Sequence, residues 1–334
     1  MKDKLSMLRY SVLDLAVVTE GATLPETFAK SLDLARHVEK LGYTRYWLAE
    51  HHNMINVASS ATSVLIGFIA GGTSSIRVGS GGIMLPNHSP LIIAEQFGTL
   101  ASLYPGRIDL GLGRAPGTDQ LTAYAIRGGR FNAVNDFPED IQQLQTYLSK
   151  ENSSAKVRAI PGEGAEIPIW ILGSSTDSAH LAALLGLPYA FASHFAPAQF
   201  TAAINIYRQN FKPSVHLQEP YVMACVNVIA ADTDAEANKL ATSLFQMFKG
   251  IATGNRKYLQ PPVEEMEEWT EYEQALVNQM LAISFIGGPE RIKSTMLQFL
   301  IDTQIDEVMV SSNIYDHKAK LHSYKLLAEL LKSN

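Results

Sequence analysis

Apolar and polar positions along this chain fall into a repeating rhythm of short apolar runs and longer stretches with helical spacing. Residues 8–15 alternate as a first strand, and 25–41 carry helical spacing closed by Gly42. The rhythm then repeats. Strands are predicted at 43–49, 76–85, 108–112, 167–172, 189–193, 221–230 and 307–310, and helices at 60–70, 90–103, 136–148, 178–185, 198–211, 234–249, 290–301 and 322–331. Eight strands alternating with helices is the count of a (β/α)8 TIM barrel, although a doubly wound sheet can carry as many. The polar residues separate the two. Short connections enter the strands, at Leu41-Gly42, Ser74-Ser75 and Pro105-Gly106-Arg107. Residues with chemistry leave them: Glu50-His51-His52, Asn87-His88-Ser89, Arg114, Gly173-Ser174-Ser175, Ser193-His194 and Ser311-Ser312-Asn313. In a barrel all these exits meet at one mouth, where barrel enzymes place their sites. The expected fold is therefore an α/β (β/α)8 barrel forming a single domain over 1–334. Insertions follow strands 4 and 7, at about 115–135 and 250–286. The second insertion holds PPVEEMEEWTEYEQ, too acidic for a core, and reads as a solvated helical excursion or a lid.

Composition narrows the class. With 334 residues, 46% of them hydrophobic, the chain has ample material for a large core. A net charge of -6 without any run of Lys or Arg argues against a nucleic-acid partner. Cys225 is the only cysteine, so an intrachain disulfide and a thiolate zinc cluster are both excluded. No segment reaches the length of a membrane span and the N-terminus lacks a signal-peptide core, so a cytoplasmic enzyme is expected.

The candidate chemistry starts from WLAEHHN (47–53). Neighbouring side chains on a strand point to opposite faces, so one metal could not easily take both His51 and His52. Gly173-Ser174-Ser175-Thr176-Asp177-Ser178 follows a strand and opens a helix, where unpaired N–H groups and small hydroxyls suit an anion. An ordinary helix cap uses the same residues. Gly79, Gly81 and Gly82 lie inside a strand pattern, which indicates a bulge or a flat ligand against bare backbone, or else tight interior packing. Arg114 could reach an anion at the mouth or serve as a surface ion-pair partner. His51, His88 and His194 could gather there too, but no HxH and no bridging carboxylate accompany them, so no metal is expected. Nucleophile elbow and P-loop motifs are absent.

Together these pieces resemble the bacterial-luciferase-like, flavin-dependent monooxygenases. The matching blocks are WLAEHHN, IRVGSGGIMLPNHSPLIIAEQFGTLASLYPGRIDLGLGR (76–114), IPIWILGSSTDSAHLAALLGLPYA (167–190) and FIGGPERI (285–292). The resemblance implies FMN, or reduced FMN as a cosubstrate, at the strand exits. It places a non-prolyl cis peptide and bulge at Gly81-Gly82 under the ring, and phosphate contacts at Arg114, Ser174, Ser175 and Ser178. His51 matches the histidine important for turnover, leaving His52 to support the wall and Glu50 to a buried hydrogen-bond network. The reactive cysteine of the luciferases falls at Gly113, so arguments resting on that thiol do not transfer. The implied reaction is oxidation of a small organic substrate with O2, reduced flavin coming from a separate NAD(P)H:flavin reductase. A deazaflavin-dependent hydride-transfer enzyme and a non-catalytic flavin-binding protein are the rival implications. A homodimer formed through helices beside the second and third strands is also implied.

Overall fold

Two apolar clusters line the two sides of each strand. Along β2 (Arg45–Leu48), Tyr46 and Leu48 face an outer cluster shared with the helices. Trp47, and Ala49 beyond the strand end, face an inner cluster with Leu13, Trp170, Ala190, Met223, Cys225 and Met309. Period-two alternation buried on both faces is what a closed parallel sheet wrapped in helices requires. The structure, a computed structural model, describes residues 8–128, 134–266 and 269–332. The positions left out include parts of both predicted insertions, 129–133 and 267–268, and the N-terminal segment 1–7.

The remaining barrel strands are β1 (Arg9–Asp14), β3 (Arg77–Met84), β4 (Ile108–Gly113), β5 (Ile169–Gly173), β6 (Tyr189–Phe191), β7 (Val222–Ala230) and β9 (Glu307–Ser311). Each pairs in parallel with its neighbour from β1 to β7; β7 pairs with β9, and β9 with β1, which closes an eight-stranded ring. The helices between them are α1 (Leu24–Lys40), α2 (Thr62–Gly72), α3 (Pro90–Leu103), α4 (Gln120–Arg127), α5 (Phe137–Leu148), α6 (Thr176–Leu185), α7 (Phe200–Asn210), α8 (Asp234–Ala252), α9 (Glu271–Met280), α10 (Pro289–Thr303) and α11 (His317–Lys332). The (β/α)8 barrel expected from the sequence is the fold.

A short strand, β8 (Ser284–Gly287), was not expected. It joins β7 in parallel over Asn227–Ala230, past the residues that pair with β6. The second insertion is also more ordered than its acidity indicates. A capping box at Thr270 and Glu273 starts α9, and Val277 and Leu281 pack with Leu244 and Phe248 of α8.

The strand starts close the barrel floor with charge. Arg45 pairs with Asp109 at 2.7 Å and with Glu307 at 3.1 Å, Arg77 pairs with Asp109 at 2.6 Å, and the Tyr221 hydroxyl donates to Glu307 at 2.8 Å. Both carboxylates are fully buried and multiply paired, which their desolvation demands. This plug leaves the opposite end as the open one.

Candidate active site

The exits of β2 and β3 are tied together by one buried carboxylate. Glu50 is 1% exposed. It accepts from His52 Nε2 at 3.0 Å, His88 Nε2 at 2.9 Å, the Met84 amide at 3.0 Å and Asn87 Nδ2 at 3.3 Å. Burial alone would push the carboxyl up; the donors from His52, His88 and Met84 outweigh it and hold the group at about 2. An ionised Glu50 with this many donors is a clamp, and His52 belongs to it. The two adjacent histidines take different partners.

His51 faces elsewhere. Its Nδ1 lies 3.2 Å from the carbonyl oxygen of Gly117, so that nitrogen carries the proton. Burial, aided by the positive charge of Arg256, lowers its proton affinity below the usual value. The ring is therefore neutral at physiological pH, with a bare lone pair on Nε2. Gly117 is required here: its φ is +67°, and a Cβ would sit 2.7 Å from the Glu50 carbonyl.

The Gly81-Gly82 peptide is cis, and the β3–β4 register shifts between Ser80 and Ile83. Both expected features are present. A Cβ on Gly82 would meet the Gly111 carbonyl oxygen at 2.8 Å, and one on Gly81 would meet Leu13 Cδ1 at 2.7 Å. Both glycines thus serve the packing of the wall as well as leaving the backbone bare.

At the exits of β4 and β5, Arg114 reaches over the start of α6 and donates to Asp177 at 3.1 Å. Ser174 is exposed. Ser175 is the N-cap residue, but its side chain makes no capping bond. Ser178 is turned inward. Its hydroxyl donates to the Ser175 carbonyl at 2.7 Å and lies 2.9 Å from the Tyr189 hydroxyl. Gly173 makes room for it, since a Cβ there would fall 2.0 Å from Ser178 Oγ. Of the four predicted anion contacts, Arg114, Ser174 and Ser175 are gathered openly at one helix start, and Ser178 braces that start from beneath.

Two further residues belong to the mouth. His194 continues the inward alternation of Ala190 on β6; its Nδ1 is sealed from solvent and has no hydrogen-bond partner among the described residues. Burial pushes its proton affinity down to about 3, with the nearby His51 adding to the effect. The sequence raised His194 only as a metal ligand, although the inward alternation was readable. Among the described residues, no group of three or more His, Cys, Asp or Glu side chains could hold a metal ion. The second residue, Arg256, lies on the segment after α8. Leu259 of that segment pairs with the loop after β1, through Leu259 N to Val18 O at 3.0 Å and Glu20 N to Leu259 O at 2.9 Å. The sequence gave no reason to single out Arg256.

The sequence pattern described as luciferase-like monooxygenase matches residues 8–307. The chain belongs to this family. It is 55% identical over 325 residues to YvbT of Bacillus subtilis (strain 168), covering 97% of this chain and 96% of that one. It is 50% identical to a luciferase-like monooxygenase of Escherichia coli (strain K12), covering 99% and 98%. An N-acetyl-S-alkylcysteine monooxygenase of Bacillus subtilis (strain 168) is 32% identical, covering 97% and 98%. Among solved structures, apo-MsnO8 superposes with a TM-score of 0.88 at 35% identity, covering 98% of this chain and 99% of that one. The fold alone is shared with two more distant proteins. One is the oxygenating constituent of 3,6-diketocamphane monooxygenase from Pseudomonas putida, in complex with FMN (TM-score 0.74, 16% identity, 97% and 98% covered). The other is an F420-dependent secondary alcohol dehydrogenase (TM-score 0.70, 14% identity, 98% and 99% covered).

Proposed function

We propose that the chain, working in the cytoplasm as one barrel domain, is an FMN-dependent monooxygenase. It takes reduced flavin from a separate NAD(P)H:flavin reductase and oxidises a small organic substrate with O2. The observation that carries this reading is the pairing, at one barrel mouth, of a small-residue helix start under Arg114 with a neutral imidazole at His51. The first suits a phosphate: backbone N–H groups, two small hydroxyls and a guanidinium converge there, and the exposed Gln199 side chain, which accepts from the Thr176 amide at 3.0 Å, would give up that bond to it. Arg114 would exchange its exposed pairing with Asp177 for the phosphate, with Ser174 and Ser175 as further donors. The glycine backbone of β3 offers a flat surface for a ring, so the residues present fit FMN.

Bound reduced FMN would supply the redox chemistry with oxygen. The protein's own part is to bind, orient and shield. Leu13, Leu15 and Leu172 line the barrel interior below the mouth and keep that end apolar. His51 Nε2 accepts a proton and returns it, a role its neutral state and fixed tautomer prepare. The name of the 32% identical relative makes an S-alkylated amino-acid derivative the first substrate class to try. The family's deazaflavin-using fold relatives make F420 the first rival cofactor.

The test is titration of the protein with FMN, riboflavin and F420, repeated for Arg114→Ala. A charge-assisted hydrogen bond contributes roughly 1.5–3 kcal/mol, so the variant should bind FMN about ten- to a hundredfold more weakly. Riboflavin, which lacks the phosphate, should lose little. Equal losses for the two ligands would remove the phosphate assignment, and preferential binding of F420 would transfer the reading to hydride exchange.

A further inference from the structure

We infer that Arg256 is the recognition point for a negatively charged organic substrate, one whose carboxylate enters the barrel mouth on the side opposite the cofactor phosphate. The inference rests on the flavin reading only in calling the Arg114 side the cofactor's. Position comes first. The segment carrying Arg256 is seated by the paired backbone bonds of Leu259 to Val18 and Glu20, and the Val18 amide in turn donates to Asn56 O at 2.9 Å. Arg256 therefore sits over the exits of β1 and β2. Arg114 and α6 stand at the exits of β4 and β5, three strands further round an eight-stranded ring.

Orientation comes second. Arg256 Nη1 lies 2.7 Å from the sulfur of Met54, three residues beyond His51, so the guanidinium turns towards the histidine loop. A thioether is a weak acceptor and guanidinium carries five donors. No carboxylate among the described residues pairs with Arg256, although Lys239 of α8 takes Glu264 from the same segment. Its charge is felt at His51, where it opposes protonation.

The surroundings come third. The polar groups that share this mouth, His51, His194 and Asn227, are neutral, and the Nδ1 of His194 and the Oδ1 of Asn227 have no partner among the described residues. Glu50 is held on the other face of the histidine loop by His52, His88 and Met84, and Asp119, beside Asn53, is taken by Thr122 and Asn53. Arg256 is exposed at the rim of this mouth with no carboxylate partner among the described residues, and it is matched by a carboxylate, which guanidinium binds through two parallel hydrogen bonds.

The experiment compares small carboxylates with their neutral amides. Hexanoate, phenylthioacetate and N-acetyl-S-butylcysteine are each titrated against the amide form, by ligand-observed NMR, with and without FMN. The wild-type protein should prefer at least one acid over its amide by about ten- to a hundredfold. In Arg256→Gln that ratio should fall towards one, and in Arg256→Lys part of it should return. FMN affinity and melting temperature should be unchanged in both. No acid preference for any of the three pairs in the wild type, or a preference that survives in Arg256→Gln, overturns the inference. If FMN fails to bind the wild type while the Arg256-dependent preference is found, the flavin reading fails and the carboxylate site stands.

Discussion

His51 and His52 are adjacent in the chain and differ in which ring nitrogen is committed. His51 spends its Nδ1 proton on the Gly117 carbonyl and leaves Nε2 open; His52 spends Nε2 on Glu50. His51→Ala should lower substrate oxidation by roughly a hundredfold to ten-thousandfold, as loss of a general acid–base does, with little change in melting temperature. The acidic limb of the wild-type pH–rate profile should lie below 6.5, because burial lowers the proton affinity of His51 and the base is lost only when pH falls through that depressed value. An acidic limb above 6.5, or one unchanged in His51→Ala, would assign the base elsewhere. Glu50 carries the opposite kind of prediction. Its carboxyl is depressed from 4.5 to about 2, so it stabilises the fold fully above the unfolded value, and that stability is lost as pH falls towards 2. The shift corresponds to on the order of 3 kcal/mol. Glu50→Gln should therefore lower stability at neutral pH and flatten the acid side of a denaturation-against-pH series. A variant with the wild-type acid slope would mean that Glu50 is not the group responsible.

Element by element, what the sequence made legible was what period and punctuation encode. The eight barrel strands and the helices between them followed from apolar alternation and from the Gly and Pro that end each run. The division of His51 from His52 followed from the same alternation, carried past the end of β2. What stayed hidden depended on contacts between distant segments. Phe285 and Ile286 form too short a run to be told from a loop, and become a strand because β7 continues past β6 and offers an open edge. The acidic PPVEEMEEWTEYEQ stretch reads as a solvated helical excursion or a lid; Thr270 does cap a helix there, and that helix has a buried face that docks it on α8. Ser178 matched the family's phosphate contact, but α6 starts at Thr176, two residues earlier than its apolar spacing indicated. That places Ser178 in the first helical turn, beneath the N-terminus, where Tyr189 takes its hydroxyl. Arg256 illustrates the limit most directly, since its meaning lies in a backbone pairing with residues some 240 positions earlier.

For the molecule as a whole, the outer surface of the helical layer raises the question of a second copy. We propose a homodimer through α2 and α3. These helices pack side by side, with the Tyr104 hydroxyl donating to the Gly67 carbonyl at 3.1 Å, and Glu95 is the only charged residue in either. Four large apolar residues point outward from them: Val64 is 69% exposed, Phe68 44%, Ile92 46% and Leu103 63%. Val64 and Phe68 share one stripe at i, i+4 spacing, and Ile92 and Leu103 lie on one face of α3 with Gln96 and Thr99 between them. Single exposed apolar residues are ordinary, but four of them on two neighbouring helices with one charged residue between them are the kind of surface that proteins cover. A twofold axis through it would bury the same patch from both copies, which is how most homodimers close. Sedimentation of the wild type at tens of micromolar should give the mass of two chains, and the double variant Val64→Glu, Phe68→Glu should give one, with secondary structure intact. Because the mouth opens at the strand exits and the patch lies on the flank of the barrel, the monomeric variant should still bind FMN. A wild type that sediments as a single chain, or a double variant that remains paired, would place the interface elsewhere or remove it.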